Sequence, residues 1–322
     1  MSIDVYMDYE RYPTFAPIPG AGRATKKSYH HSKLLYCRSK TISIVLNKKS
    51  IHILRNAKVI SSNGTWGEYR ERYCQWRGIT AIAGGYDHVL ALSKDGTVHT
   101  SGGNRYCQQD VQNWSNIISI AAGGYHSIGV CSDGTVKAVG YNKYGQCNVR
   151  DWTDIIDVQS SAYHTVGLRS DGTVLATGRN DYGQCHVQNW TDIISIAVGE
   201  LHTVGLRADG TVLATGCSRN GRCNVESWSK IRVIAAGKSH TVGLRGWDEV
   251  LAVGSNTGGK CRLMRMIEQW KKKEKVESYD ILEIGAGTDY TIAAVEHNYD
   301  ITIISNNDFI SSCFTNAFNF RD

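Results

Sequence analysis

Five histidines, His88, His126, His164, His202 and His240, stand 38 residues apart, and four cysteines, Cys147, Cys185, Cys223 and Cys261, keep the same interval. Imidazoles and thiolates are ligands that hold zinc, and a thiol beside an imidazole makes a nucleophile. Spacing this regular, however, places one residue of each kind in every repeat unit. Equivalent positions on neighbouring packed sheets lie roughly 10 Å apart. Zinc ligands share an ion at about 2 Å, and a disulfide needs Cα atoms within about 7 Å. The histidines are therefore expected to bond backbone groups where each unit turns, and the cysteines to serve as small buried apolar residues. No metal site, cofactor or catalytic residue is expected, and the sequence holds no G-x-S-x-G, H-E-x-x-H or phosphate-loop motif.

Residues suited to recognition recur in the same units. Tyr86, Tyr125 and Tyr163 fall just before a histidine, while Tyr106, Tyr144 and Tyr182 fall in a Gly-x-Asn-x-Tyr-Gly loop or its close variants. Arg105, Lys143, Arg179 and Arg219 lie among them. Tyrosine and arginine are enriched in binding hot spots. The basic positions differ from unit to unit, and variation in loops carried by a constant scaffold is the pattern of a binding surface. The alternative is that the tyrosines simply pack between loops.

The elements that position these residues follow from the period. Trp76, Trp114, Trp152, Trp190 and Trp228 repeat every 38 residues, as do Asp95-Gly96, Asp133-Gly134, Asp171-Gly172 and Asp209-Gly210. In the unit from Thr153 to Trp190, Ile155 to Val158, His164 to Leu168 and Thr173 to Gly178 read as strands about an Asp-Gly hairpin. Gln184 to Val187 reads as a fourth short strand. The expectation is an all-β fold, a seven-bladed β-propeller of four-stranded antiparallel blades with 38-residue repeats. Weaker copies at Lys40 to Asn56 and Tyr290 to Asn306 complete the seven, and Ser311 to Phe318 is expected to close the ring. Residues 1–30, with Pro13, Pro17 and Pro19, read as an extended arm before a propeller over 31–322.

Two insertions interrupt the array, at about 57–72 and 262–277. With strands running up and down in turn, the pre-histidine loops and the Gly-x-Asn loops open on one face. The first insertion reads as a hairpin on that face, turning at Asn63-Gly64 and presenting Trp66, Tyr69 and Arg70 to a partner. The second is expected on the opposite face as a short helix, with Leu263, Met266, Ile267 and Trp270 on one side and a basic end at Lys271 to Lys275. Trp247, which replaces the Asp-Gly turn of its unit, is expected beside it.

The pattern Ala121-Ala-Gly-Gly-Tyr-His126, Ser132-Asp-Gly-Thr-Val136 and Gly140-Tyr-Asn-Lys-Tyr-Gly-Gln146 resembles the repeat of the regulator of chromosome condensation family. The likeness runs from about residue 31 onward and implies a propeller. The family's founding member is a nucleotide-exchange factor for a small nuclear GTPase that also binds chromatin. The short, uniform repeats look like a bacterial-style array.

A net charge of +6, from 36 basic and 30 acidic residues, permits an acidic partner but is modest for a dedicated nucleic-acid binder. Met1 to Glu10 lacks the basic-then-apolar pattern of a signal peptide, and no run of eighteen apolar residues occurs. A cytoplasmic, non-membrane chain is expected: a monomeric propeller working within a complex, not an enzyme, that binds a protein partner through the tyrosine face. Nucleic-acid binding and guanine-nucleotide exchange on a small GTPase are the alternatives.

Overall fold

β-Branched strands and Asp-Gly turns fold each repeat into an antiparallel sheet. The computed structural model describes residues 42–46, 51–55, 58–62, 76–287, 290–297 and 300–306. The first sheet is β1 (Ile42–Leu46), β2 (Ile51–Arg55) and β3 (Lys58–Ser62). The second is β4 (Ile79–Gly84), β5 (His88–Ser93) and β6 (Val98–Gly102), and the third is β7 (Ile117–Ala122), β8 (His126–Cys131) and β9 (Val136–Gly140). The fourth is β10 (Ile155–Ser160), β11 (His164–Arg169) and β12 (Val174–Gly178), and the fifth is β13 (Ile193–Val198), β14 (His202–Arg207) and β15 (Val212–Gly216). The sixth is β16 (Ile231–Ala236), β17 (His240–Arg245) and β18 (Glu249–Gly254). The seventh is β19 (Asp280–Ala286), β20 (Thr291–His297) and β21 (Asp300–Ser305). A helix, α1 (Leu263–Lys273), lies between the sixth and seventh.

Among the described residues the seven blades have three strands each, which corrects the expectation of four. The stretch expected as a fourth strand is a run of turns. His186 N–H donates to the Gly183 carbonyl at 3.0 Å, Val187 to Cys185 at 2.9 Å and Trp190 to Val187 at 2.9 Å. Side chains satisfy the same segment locally, since Asn180 Oδ1 accepts from Cys185 N–H and Gln184 Oε1 from Tyr182 N–H. With its amides taken by near neighbours, the segment has no ladder to offer. Among the described residues no strand pairing joins the seventh sheet to the first, and Ser311 to Phe318 lie outside them.

The first blade also differs in register. Ile42–Leu46, aligned by sequence with a second strand, is the first strand, and Lys58–Ser62, assigned to the hairpin insertion, is the third. Asn63-Gly64, Trp66, Tyr69 and Arg70 lie outside the described residues.

Within a blade, the tryptophan caps the second strand at a glycine. A Cβ at Gly167 would meet the Trp152 ring at 2.7 Å, and Gly129, Gly205 and Gly243 face Trp114, Trp190 and Trp228 in the same way. The indoles are buried because the glycines leave room for them. In the second blade Ala91 takes the glycine position, and Trp76 stacks on His99 at 5.8 Å.

Between blades the histidines form the lock. His88, His126, His164, His202 and His240 are buried, and each Nε2 lies 2.9–3.1 Å from the hydroxyl of Ser127, Thr165, Thr203, Thr241 or Thr291 in the next blade. Those hydroxyls donate onward to the carbonyls of Gln108, Gln146, Gln184, Arg222 and Lys260. A hydroxyl has one proton. Having given it to a carbonyl, it accepts from the imidazole, so Nε2 carries the proton. In the fourth blade Ser161 bonds the remaining nitrogen, Nδ1 of His164, at 2.8 Å. The expected backbone partner is thus one step further away, reached through a hydroxyl.

The helix α1 is also corrected. Leu263 is buried where Val111, Val149, Val187 and Val225 stand in earlier repeats, so the helix starts on the histidine face. Its far end sets Trp270 against Tyr279 and against His297 at the end of β20, on the opposite side. α1 therefore runs along the edge from one face to the other, where sequence had placed the whole insertion on one.

Candidate functional site

The pre-histidine loops and the loops after each third strand meet on one face, laced by backbone bonds. Tyr86 N–H donates to the Gly124 carbonyl at 3.0 Å, Gly124 N–H to Ser161 at 3.2 Å and Lys238 N–H to Gly287 at 3.0 Å. On this frame six tyrosine rings meet edge to face. The line runs from Tyr86 to Tyr125 (5.5 Å between centroids), Tyr106 (5.2 Å), Tyr141 (5.0 Å), Tyr144 (6.4 Å) and Tyr163 (5.5 Å). Such offset geometry is favoured by the ring quadrupoles.

Cations lie over the same rings. The Arg179 guanidinium is 5.6 Å from the Tyr144 centroid and 5.7 Å from that of Tyr163, Arg105 is 5.5 Å from Tyr106, and Lys143 is 6.0 Å from Tyr144. Arg179 Nε also donates to Asp181 Oδ2 at 2.5 Å. Tyr86 lies across Gly124, where an added Cβ would sit 3.1 Å from the ring. Burial, with Glu200 and the neighbouring phenols, pushes its hydroxyl well above the usual phenol range. Glu200 in turn pairs with Lys238 at 3.5 Å. Burial works to raise the Asp87 carboxyl, but hydrogen bonds from His88 and Gln108 hold it below the ordinary value.

The structure brings together Tyr86, Arg105, Tyr106, Tyr125, Lys143, Tyr144, Tyr163 and Arg179. Tyr182 and Arg219 share the face but lie outside the line of ring contacts, both exposed. Trp247 is elsewhere, in the β17–β18 turn with Arg232 at 3.9 Å from its ring centroid. Tyr86 is not equivalent to Tyr125 and Tyr163, since it stands two residues before its histidine rather than one. Tyr141 is a member that sequence reasoning missed. Its signal was the 38-residue offset to Arg179, which pairs an aromatic ring with a guanidinium at one repeat position.

The periodic histidines and cysteines offer little reactivity. Burial pulls His126, His164 and His202 down to about 3, so they are neutral near pH 7. Burial pushes the Cys147 thiol up to about 12 and those of Cys185 and Cys223 to about 11. The described cysteines are free thiols, and no group of three metal-ligating side chains occurs among the described residues.

The model of the regulator of chromosome condensation (RCC1) repeat matches residues 79–108, 117–146, 155–184 and 193–222. The four matched units are RCC1-like repeats of a β-propeller. Each match begins at the first strand of a blade and ends at the buried Gln108, Gln146, Gln184 or Arg222, whose carbonyl receives the hydroxyl of the lock. Solved structures share the fold. The CRINKLY WD40 ectodomain of the Arabidopsis thaliana receptor kinase ACR4 aligns at 14% identity over 83% of this chain and 93% of that one, with TM-score 0.56. Human WBSCR16 aligns at 16% identity over 77% and 79%, with TM-score 0.55. Yeast RCC1 (Prp20), solved with Kap60 bound, aligns at 15% identity over 86% and 83%, with TM-score 0.52. No curated protein sequence matches the chain. Among the described residues no helix is long and apolar enough to cross a membrane.

Proposed function

We propose that the chain is a non-catalytic protein-interaction module that takes a protein partner on its tyrosine face. The observation that carries this reading is the continuous line of six rings from Tyr86 to Tyr163 with Arg105, Lys143 and Arg179 set over it. Rigid aromatic side chains lose little entropy on contact, and arginine adds directional donors, the combination that concentrates binding energy. Yeast RCC1, a structural relative, was solved with a protein, Kap60, bound to it. We place the chain in the cytoplasm as a monomer within a complex, with Trp66, Tyr69 and Arg70 extending the contact surface.

The test is quantitative capture from the native cell by the intact chain and by the Tyr144→Ala/Arg179→Ala variant. Partners lost with the variant, while its unfolding midpoint stays within a few degrees, support the reading. An unchanged set of partners refutes it.

A second reading is single-stranded nucleic acid, favoured by guanidinium groups stacked on rings along one face. It requires affinity for an oligonucleotide that falls steeply with salt.

A further inference from the structure

We propose that the face opposite the tyrosines carries a second docking site, which takes a basic amphipathic helix of a partner protein. The large apolar and aromatic residues exposed among the described ones sort onto two faces. Tyr144 and Tyr182 lie on the first, and Ile118, Ile156, Ile194 and Trp247 on the second. The three isoleucines are equivalent, one in each of three consecutive blades, and are 36%, 50% and 46% exposed.

Their exposure has a local cause. β7, β10 and β13 each skip a register position between Ile117 and Ser119, Ile155 and Asp157, and Ile193 and Ser195. In such a bulge two residues oppose one, and the extra side chain is re-aimed. Ile117, Ile155 and Ile193 stay buried while the next isoleucine turns to solvent. The backbone does not require an isoleucine, because Thr80 and Arg232 hold the same bulge position in the second and sixth blades. The Ser119 hydroxyl donates to Asp157 Oδ1 at 2.9 Å across the blade boundary, so the neighbouring Ile118 and Ile156 stand side by side.

The charge around this arc says what covers it. Asp154 and Asp192 lie two residues before Ile156 and Ile194, and the turns carrying Asp133 and Asp171 pack on them through Gly134 and Gly172. Hydrogen bonds from Thr135 and Thr173, hydroxyl and amide, hold Asp133 and Asp171 below the ordinary carboxyl range. Two acidic residues therefore lie along the backbone that leads into each of Ile156 and Ile194. Lys137, Arg169 and Arg207 also reach this side, beside Asp133, Asp171 and Asp209, whereas Asp154 and Asp192 pair with no cation among the described residues and leave the negative charge next to Ile156 and Ile194. An aliphatic stripe fenced by carboxylates complements a helix with leucine-type residues on one side and lysines at its margins. The tyrosine face, with Arg105, Lys143, Arg179 and Arg219, would repel such a helix.

The probe is a labelled synthetic Leu/Lys amphipathic helix of about 18 residues, with a Leu/Glu counterpart, read by fluorescence anisotropy on the full chain. The Leu/Lys peptide should bind at least about tenfold tighter than the Leu/Glu one. Ile156→Ser/Ile194→Ser should weaken it by about tenfold or more with an unchanged unfolding midpoint, since exposed positions tolerate substitution. Asp154→Asn/Asp192→Asn should weaken it by several-fold, and Arg179→Ala should not. Equal binding of both peptides, or affinity indifferent to Ile156 and Ile194, overturns the proposal. So does a dimer in sedimentation that the isoleucine variant dissolves, because the arc would then belong to a second copy of the chain.

Discussion

His126 Nε2 lies 3.1 Å from the hydroxyl of Thr165, one blade away. Both residues are fully buried. Thr165→Val keeps the shape, strands a buried N–H and removes the donor to the Gln146 carbonyl. The expected cost is about 1–3 kcal/mol. Thr165→Ser should cost much less, since Ser127 fills the same role for His88. Urea unfolding of the two variants separates the hydrogen bond from the methyl packing, and a larger loss in Thr165→Ser than in Thr165→Val would assign the effect to packing.

The same burial makes the fold sensitive to acid. His126, His164 and His202 sit at about 3 in the folded chain, against about 6.5 when free. Between those values the unfolded chain binds more protons, so stability rises with pH. Their contribution is full above pH 6.5 and is lost progressively as pH falls toward 3. Asp157 and Glu283, both pushed up by burial, Glu283 to about 8, act in the opposite sense and lose their contribution as pH rises. The urea midpoint should therefore fall from pH 7 to pH 5, and more steeply in Glu283→Gln than in the parent chain.

Gly167 faces Trp152 with no space for a methyl group. Gly167→Ala should destabilise by about 1–3 kcal/mol through overpacking. Ala91, packed in one cluster with Trp76, shows that a blade can hold the methyl beside its tryptophan, so Gly167→Val should be clearly worse than Gly167→Ala. Thermal melts of both, with tryptophan fluorescence, report the displacement of the indole.

The tyrosines divide into two classes. Tyr106 touches Tyr125 and Tyr141 edge to face, whereas Tyr182 is 50% exposed and makes no ring contact among those described. Tyr106→Ala should lower stability by about 1–3 kcal/mol, the loss of two aromatic pairs. Tyr182→Ala should change it by less than about 0.5 kcal/mol. Any loss of partner capture by Tyr182→Ala would then report contact rather than folding.

The repeat, its hairpins and the tryptophan and histidine positions were legible because each recurs at a fixed offset and carries strong local chemistry. Asp133-Gly134 is an example: Gly134 takes φ 82° and Asp133 Oδ1 accepts from both Thr135 groups. The strand count was not legible. Gln184 to Val187 alternates like a strand, but Asn180 and Gln184 side chains capture the amides of Cys185 and Tyr182 first. The histidine partner was obscured because Thr165 reads as an ordinary β-branched strand residue. Tyr141 was overlooked because the same repeat position is Gly103, Arg179 and Cys217 in the neighbouring units, so no tyrosine series marks it. The course of α1 depended on Leu263 replacing a valine, a substitution that periodicity alone does not flag.

The histidine lock also bears on how such an array lengthens. Each bond joins a histidine to a hydroxyl 39 residues on, stretched to 51 only where the helix intervenes. A 38-residue segment cut anywhere in the regular part thus carries one imidazole and one matching hydroxyl. Copied in tandem, it would arrive with both halves of the fastening in register. Duplication would add a blade without any compensating change in its neighbours.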